Sequence, residues 1–219
     1  MTLQFNEQGL IPALAQDRFD GQVRMLAWMN RAALEQTLET GLATFFSRSR
    51  NKMWVKGESS GNVLRVHSVT ADCDADTLLL LVEPAGPSCH TGRPSCFFKR
   101  VGPGGTLVDE PFEVTPFVGE LERTIRERQA SSAEKSYTRS LLDGGVAKIN
   151  GKISEEAAEL VAALAAESDE RVISEASDLL FHVLVGLRAR GLDFRQVTAA
   201  LAARTGQSGH AEKASRNKA

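Results

Sequence analysis

The chain has 219 residues, 42% of them hydrophobic and 25% charged, and a formal net charge of −2. That composition fits one or two soluble globular domains and excludes a global basic field that would draw the protein to nucleic acid or an anionic membrane. No apolar run approaches the roughly 18 residues that a membrane-spanning helix needs.

Up to about residue 112 the pattern is mixed. The segment "QVRMLAWMNRAALEQTLETG" reads as a short strand running into an amphipathic helix that stops at Gly41. "LATFFSRS", "MWVKGE", "VLRVHSVTADC" and "TLLLLVEP" read as strands, rich in β-branched and aromatic residues and separated by Asn-Lys, Ser-Gly-Asn and Ala-Gly-Pro turns. These predict an α+β domain over residues 1–112 with a mainly antiparallel sheet. "GPGGTLVDEPFEVTP" reads as the hinge. Beyond it, helical periodicity takes over and predicts an all-α bundle over residues 113–206. Pro116 opens one helix, and Leu121 and Ile125 lie four apart on it. One later helix carries Ile149, Ile153, Ala157, Leu160 and Leu164 as its apolar stripe; the next carries Val172, Ala176, Leu179, Val183 and Leu187 and ends at Gly191. Asp193 and Gln196 form a capping-box pattern for a last helix. Residues 207–219 are a polar tail, expected to fray.

All three cysteines fall in "DCDADTLLLLVEPAGPSCHTGRPSCF", residues 72–97. The chain start carries no basic-then-apolar signal pattern, so a reduced, cytoplasmic setting is expected, where clustered cysteines lean toward metal or catalysis. If residues 72–76 are extended, Asp72, Asp74 and Asp76 face one way and Cys73 the other. Carboxylates suit Mg²⁺ and thiolates suit Zn²⁺. Three thiolates, Cys73, Cys89 and Cys96, leave a fourth tetrahedral position open for water, whose pKa at zinc falls to about 7. His90 adjoins Cys89 and is the candidate proton carrier. The competing reading is three small buried apolar side chains; the Pro, Ser, Gly and charged neighbours of Cys89 and Cys96 count against it. His67 reads as a core or edge residue.

"SRSRNKMWVKGESSGN" supplies Arg48, Arg50, Lys52 and Lys56, which suit phosphate. A charged edge strand protected against aggregation has the same composition.

In the bundle, "EEAAE" sets Glu155 and Glu156 ahead of Glu159, and "EASD" sets Glu175 ahead of Asp178, at spacings that share a helix face. The two helices are joined by "ESD" and should pack antiparallel, bringing the acidic sets together. An all-oxygen cluster is a Mg²⁺ or Mn²⁺ site; an exposed acidic face is the alternative. Lys148 and Lys152 precede the cluster and suit phosphate contact or helix ion pairs. His182, one turn after Asp178, suits support of the cluster or packing.

"GLIPALAQD", "MLAWMNRAAL", "FFSRSRNKMWVKGESSGN", "DCDADTLL" and "GPSCHTGRPSCF" together resemble phosphoribosyl-AMP cyclohydrolase of histidine biosynthesis, over about the first 110 residues. "SYTRSLL", "EEAAE" and "EASDLLFH" resemble phosphoribosyl-ATP pyrophosphohydrolase, of the all-α NTP pyrophosphohydrolases. The whole chain is similar to the bifunctional fusion of the two.

The resemblance implies Zn²⁺ on Cys73, Cys89 and Cys96 and Mg²⁺ on Asp72, Asp74 and Asp76. It further implies a homodimer in which Cys73 of one subunit joins Cys89 and Cys96 of the other. In the C-terminal half it implies Mg²⁺ on Glu155 or Glu156, Glu159, Glu175 and Asp178, with Glu156 and Asp178 as catalytic candidates. Where related domains carry two basic residues before the Glu pair, this chain has Gly151 at one place and retains Lys152. The implied chemistry is hydrolysis of phosphoribosyl-ATP to phosphoribosyl-AMP and pyrophosphate, then ring opening at N1–C6 by zinc-bound hydroxide, as in zinc deaminases. The competing function is a house-cleaning NTP pyrophosphohydrolase with a non-catalytic, zinc-stabilised N-terminal module.

Overall fold

The computed structural model describes residues 2–108, 115–130 and 136–205. Two compact units emerge, Met1–Pro116 and Phe117–Ala219. The boundary expected at residues 112 and 113 and the tail at 207–219 lie outside the described residues.

The first unit is built on β1 (Ile11–Asp17), β2 (Val23–Met29), helix α1 (Arg31–Thr40), β3 (Thr44–Ser47), β4 (Lys52–Val55), β5 (Leu64–Ala71) and β6 (Leu78–Pro84). A small ribbon, β7 (Arg100–Val101) and β8 (Leu107–Val108), follows. The main sheet runs β4-β3-β2-β1-β6-β5, and only its β1–β6 pair is parallel among the described strands. Alternation does the sorting: Ile11, Ala13, Ala15 and Asp17 of β1 point inward, while the residues between them are half-buried. The two ends of the sheet curl toward each other, because the Ala43 N–H donates to the Leu64 carbonyl at 3.0 Å and Leu42 bridges Arg65.

Helix α1 starts where the Asn30 side chain accepts the Ala33 N–H at 2.8 Å. It stops at Gly41, whose φ of 68° allows its N–H to reach the Thr37 carbonyl. Its Ala33 and Leu34 close the core over Met25, Met29, Phe45, Leu64, Leu78 and Leu80. Burying a side chain of this kind contributes about 1.5–3 kcal/mol.

The second unit is helical: α2 (Phe117–Ala130), α3 (Tyr137–Asp143), α4 (Gly145–Ala166), α5 (Asp169–Ala189) and α6 (Phe194–Arg204). Its core is Ile125, Leu141, Ile149, Leu184 and Val185. At Gly186 a Cβ would stand 3.4 Å from Ile149 and 3.5 Å from Ile153, ordinary contact distances at the α4–α5 interface. The Asp193–Gln196 capping box is present at α6.

The apolar stripes hold in part: Ile149 is buried and Ile153 and Leu187 pack against the core. Leu164 is 65% exposed, and Ala176 is exposed as well. The buried line of α4 is Ile149, Glu156 and Ala163; that of α5 is Glu175, His182, Leu184 and Val185. Acidic residues expected beside the stripes therefore occupy the buried face itself.

Candidate active sites

Residues 72–76 form a turn between β5 and β6, not an extended strand end. Asp72 organises it: one carboxylate oxygen accepts the Asp76 N–H at 3.0 Å and the Thr77 N–H at 3.1 Å. Ala75 takes a φ of 62°, and its carbonyl receives the Gln4 N–H at 2.7 Å. The turn thereby gathers carboxylate oxygens of Asp72, Asp74 and Asp76 within 4.8 Å of one another, all exposed. Desolvation opposes ionisation of Asp72, but the hydrogen bonds from Thr77 and Asp76 outweigh it and hold the carboxyl below its usual range. Three like charges this close favour a divalent cation.

Cys89 and Cys96 meet on the loop after β6. The Cys89 N–H donates to the Arg93 carbonyl at 3.0 Å, and the Cys96 N–H donates to the Arg24 carbonyl at 2.8 Å, which ties the loop to β2. The Ser95 hydroxyl adds a 2.7 Å bond to the Val23 carbonyl. Arg24 is itself held by a buried ion pair with Asp17 at 2.6 Å and by Asp20 at 3.2 Å.

The two thiols differ. For Cys89, desolvation is outweighed by hydrogen bonds from Thr91, Cys96 and the His90 N–H, so its pKa falls; the Thr91 hydroxyl lies 3.1 Å from the sulfur. Cys96 keeps exposed surface, yet desolvation of its sulfur and then the neighbouring Cys89 push its thiol up to about 11. Lys56 is buried beside both sulfurs and donates to the Asn62 carbonyl at 3.1 Å. Burial lowers its pKa, and the two cysteines work against that shift.

His90 is exposed, with Nδ1 at 3.9 Å from the Cys89 sulfur. Cys73 is exposed on the aspartate turn, and the three sulfurs do not all lie within 4.8 Å of one another in one chain.

The four basic residues expected at phosphate separate. Arg48 and Arg50 stand in the turn between β3 and β4. The Arg48 guanidinium lies 4.9 Å from the centroid of the Trp28 ring. Lys52 is exposed at the start of β4, and Lys56 belongs to the thiol pair. His67 is exposed, 2.7 Å from Arg18.

In the second unit, carboxylate oxygens of Glu156, Glu175 and Asp178 lie within 4.8 Å of one another. Glu156 and Glu175 are buried and Asp178 is exposed. Glu159 hydrogen-bonds to Glu175, and desolvation followed by that bond raises the Glu175 pKa against the pull of Arg171. Glu155 stays outside the group; it and Glu156 share Lys152 Nζ, each at 2.9 Å. Arg171 Nη2 approaches Glu175 at 2.6 Å. Lys152 and Arg171 therefore balance carboxylate charge from the two helices. Their hydrogen bonds to acidic partners, first Glu155 for Lys152 and first Glu167 for Arg171, raise both pKa values. Lys148 donates to the Ser140 carbonyl at 3.1 Å instead of joining the cluster.

Sequence reasoning missed Tyr137 and Arg171. Tyr137 Oη reaches His182 Nε2 at 2.9 Å, and His182 Nδ1 lies 3.7 Å from Glu156. Arg171 was readable as an i,i+4 partner of Glu175. Tyr137 lies in the "SYTRSLL" segment, but its histidine is 45 residues away, so the pairing left no local signal.

Comparison with known proteins separates the same two halves. Residues 25–98 match the phosphoribosyl-AMP cyclohydrolase family model and residues 118–205 match that of phosphoribosyl-ATP pyrophosphohydrolase. The chain is 46% identical to the histidine biosynthesis bifunctional protein HisIE of Parasynechococcus marenigrum, over 93% of each chain. The protein of that name from Bacillus subtilis is also 46% identical, over 89% of this chain and 91% of its own. That from Aquifex aeolicus is 43% identical, over 90% of this chain and 95% of its own. Identity at this level across both halves places the chain in the family of histidine biosynthesis bifunctional proteins HisIE.

Proposed function

We propose that the protein carries out two consecutive hydrolytic steps of histidine biosynthesis in one cytoplasmic chain. The second unit hydrolyses phosphoribosyl-ATP between its α and β phosphates to give phosphoribosyl-AMP and pyrophosphate. The first unit adds water to C6 of phosphoribosyl-AMP and breaks the N1–C6 bond, giving the formimino-aminoimidazole carboxamide ribotide. The observation that carries this reading is the separation of donor chemistry: free thiols and an aspartate cluster in one unit, a carboxylate cluster in the other.

The donor sets fit the implied metals. Cys89 and Cys96, facing each other beside buried Lys56, offer two soft ligands, and Cys73 is the third. Bound there, zinc would supply the acidity that makes water a nucleophile at neutral pH. The exposure of Cys73 away from the other two supports a site completed by a second copy of the chain. Asp72, Asp74 and Asp76 would hold Mg²⁺ for the substrate's phosphates. His90, exposed beside Cys89, carries protons between solvent and the reacting nitrogen.

In the second unit Glu156, Glu159, Glu175 and Asp178 would hold Mg²⁺, which would neutralise charge on the triphosphate. Asp178, the exposed member, and Glu156, paired with Lys152, would position the attacking water. Lys152 also offers its charge to the leaving pyrophosphate.

The test is incubation with phosphoribosyl-ATP and Mg²⁺, with products separated by chromatography. The wild type should yield the ring-opened product. Cys96→Ser should stop at phosphoribosyl-AMP, and Asp178→Asn should leave phosphoribosyl-ATP intact while still opening supplied phosphoribosyl-AMP. Preferred turnover of ordinary or damaged nucleoside triphosphates would refute the reading.

A further inference from the structure

Two cations already sit on the carboxylates of the second unit. Lys152 Nζ lies 2.9 Å from Glu155 and 2.9 Å from Glu156, and Arg171 Nη2 lies 2.6 Å from Glu175. Lys152 stands four residues ahead of Glu156 on α4, and Arg171 four residues ahead of Glu175 on α5, the spacing that brings side chains together on one helix face. The two helices run antiparallel, since Gly186 near the end of α5 faces Ile149 near the start of α4. One turn back along α4 and one turn back along α5 therefore lead in opposite directions. Lys152 closes one end of the carboxylate cluster and Arg171 closes the other.

The charges do not cancel. Glu155, Glu156, Glu159, Glu175 and Asp178 are gathered around these two cations, so the balance is negative. The crowding shows at Glu175, whose carboxyl is held above its usual range by desolvation and then by Glu159. Such a cluster fits a divalent cation, yet its two buried members are engaged already. A bond from Mg²⁺ to oxygen is about 2.1 Å long. An ion that took the Glu156 oxygen paired with Lys152 would come within about 5 Å of the ammonium, in a partly buried place where like charges repel more than in water. Lys152 and the metal therefore cannot both hold that oxygen at full strength. Among the described residues Lys152 has no partner besides Glu155 and Glu156, and its flexible stem leaves it free to turn to another anion. The two cations differ in shielding: the Lys152 side chain is 27% exposed and that of Arg171 55%.

We propose that Lys152 and Arg171 are built-in counter-ions that compete with the divalent cation for Glu156 and Glu175, and that Lys152, on leaving Glu156, carries its charge to the triphosphate. Only ion pairs exchange; no covalent bond and no proton moves. The chain thereby gives up metal affinity and keeps a cation in place for the substrate. This rests on the pyrophosphohydrolase reading of the unit and adds to it a change of partner by a named side chain.

The test reads metal affinity directly. Mn²⁺ is titrated into the full-length protein without substrate, and free Mn²⁺ is followed by electron paramagnetic resonance. The binding that Glu159→Gln removes is that of the second unit. Lys152→Gln should tighten this binding by at least about 3-fold, and Lys152→Arg, which keeps the charge, should leave it near wild type. Arg171→Gln should tighten it too, and its effect should fade more in about 0.5 M KCl, because Arg171 is the more exposed. At saturating Mg²⁺, Lys152→Gln should also raise KM for phosphoribosyl-ATP by about 10-fold or more. Tighter metal with weaker substrate is the signature, since a lysine that only braced the helix would loosen both when removed. The proposal is overturned if Lys152→Gln protein with wild-type helical circular dichroism binds Mn²⁺ no tighter than wild type, or if its KM is unchanged. A protein from which Glu159→Gln removes no Mn²⁺ is a different failure, because it overturns the metal reading of the second unit itself.

Discussion

The hydroxyl of Tyr137 lies 2.9 Å from Nε2 of His182, while Nδ1 of the same ring lies 2.8 Å from the Asp178 carbonyl. A carbonyl only accepts, so Nδ1 carries a hydrogen, and Nε2 pairs with the Tyr137 hydroxyl. The buried imidazole is thus fixed at both nitrogens, packed edge-on to Tyr137 and Phe181, with Glu156 3.7 Å away. Tyr137→Phe should therefore cost about 0.5–1.5 kcal/mol of stability. It should slow pyrophosphate release by about 2–10-fold, through loss of the orientation that His182 gives its carboxylate neighbours. Ring opening of supplied phosphoribosyl-AMP should not change. Unaltered pyrophosphate release with unaltered stability would show that the contact positions nothing.

Asp17 and Arg24 make the corresponding anchor in the first unit. Asp17 is fully buried and Arg24 nearly so, and the Arg24 carbonyl holds the Cys96 N–H. Removing Asp17 leaves the buried Arg24 guanidinium with only the partly exposed Asp20 at 3.2 Å, so Asp17→Ala should destabilise the unit by up to about 3–5 kcal/mol. Replacing both with apolar residues of similar volume should cost far less. Tryptophan emission during urea unfolding reads this unit selectively, since Trp28 and Trp54 both lie in it. Equal losses in the single and double variants would sink the ion-pair argument.

The sequence made some of this legible and concealed the rest for identifiable reasons. The strands around Phe45 and Leu80 and the helix from Asn30 to Gly41 carry local signals, in alternation, capping and a left-handed glycine, whereas β1 around Ile11 is an addition of the structure. The two-unit organisation followed from a change of period. The aspartate turn did not. Alternation on an extended chain would also put Asp72, Asp74 and Asp76 together, yet what gathers them is the turn that Asp72 closes on the Asp76 and Thr77 N–H groups. The stripes of α4 and α5 misled because hydrophobicity was the only criterion. Glu156 and Glu175 are buried on the line that apolar residues were expected to fill, and Leu164 faces outward. The place where β2 and β3 cease to pair, after Trp28 and Phe46, is set by the fold, and Lys56 reaches thiols more than 30 positions away. Neither follows from local pattern.

The inequality of the two thiols should appear in the metal-free protein. Ionisation rises with pH, and the thiolate is the species that alkylates. Cys89 has its pKa lowered and Cys96 has its pushed up to about 11, so Cys89 should acquire reactivity first as pH is raised. Because the two groups share a hydrogen bond, the midpoints belong to the pair, and Cys96 donates while Cys89 is the thiolate. In a Cys73→Ser background treated with chelator, iodoacetamide rates followed by mass spectrometry should give the lower midpoint to Cys89. Thr91→Val should raise that midpoint by removing the 3.1 Å hydroxyl contact. The same midpoint for both thiols, unmoved by Thr91→Val, would contradict the geometry. In the wild-type protein, where Cys73 is intact, zinc should protect both thiols at neutral and alkaline pH.

The position of Cys73 leads to the last prediction. It is exposed on the aspartate turn, apart from the pair formed by Cys89 and Cys96. If the zinc ligands come from two subunits, a Cys73→Ser chain and a Cys89→Ser chain are each inactive in ring opening alone. In a mixed dimer one composite site joins the intact Cys73 of one chain to the intact Cys89 and Cys96 of the other, while the second composite site lacks two ligands. Subunit exchange should therefore restore activity, up to about a quarter of wild type: random mixing puts half of the dimers in the mixed form, each with one good site of two. Zinc content should rise in the same proportion, and mixing with a Cys73→Ser/Cys89→Ser double variant should restore nothing. A site assembled within one chain predicts no rescue at any mixing ratio, since every chain would still lack a ligand. Pyrophosphate release, which uses the carboxylates of the other unit, should stay at the wild-type rate throughout and serves as the internal standard for folded protein.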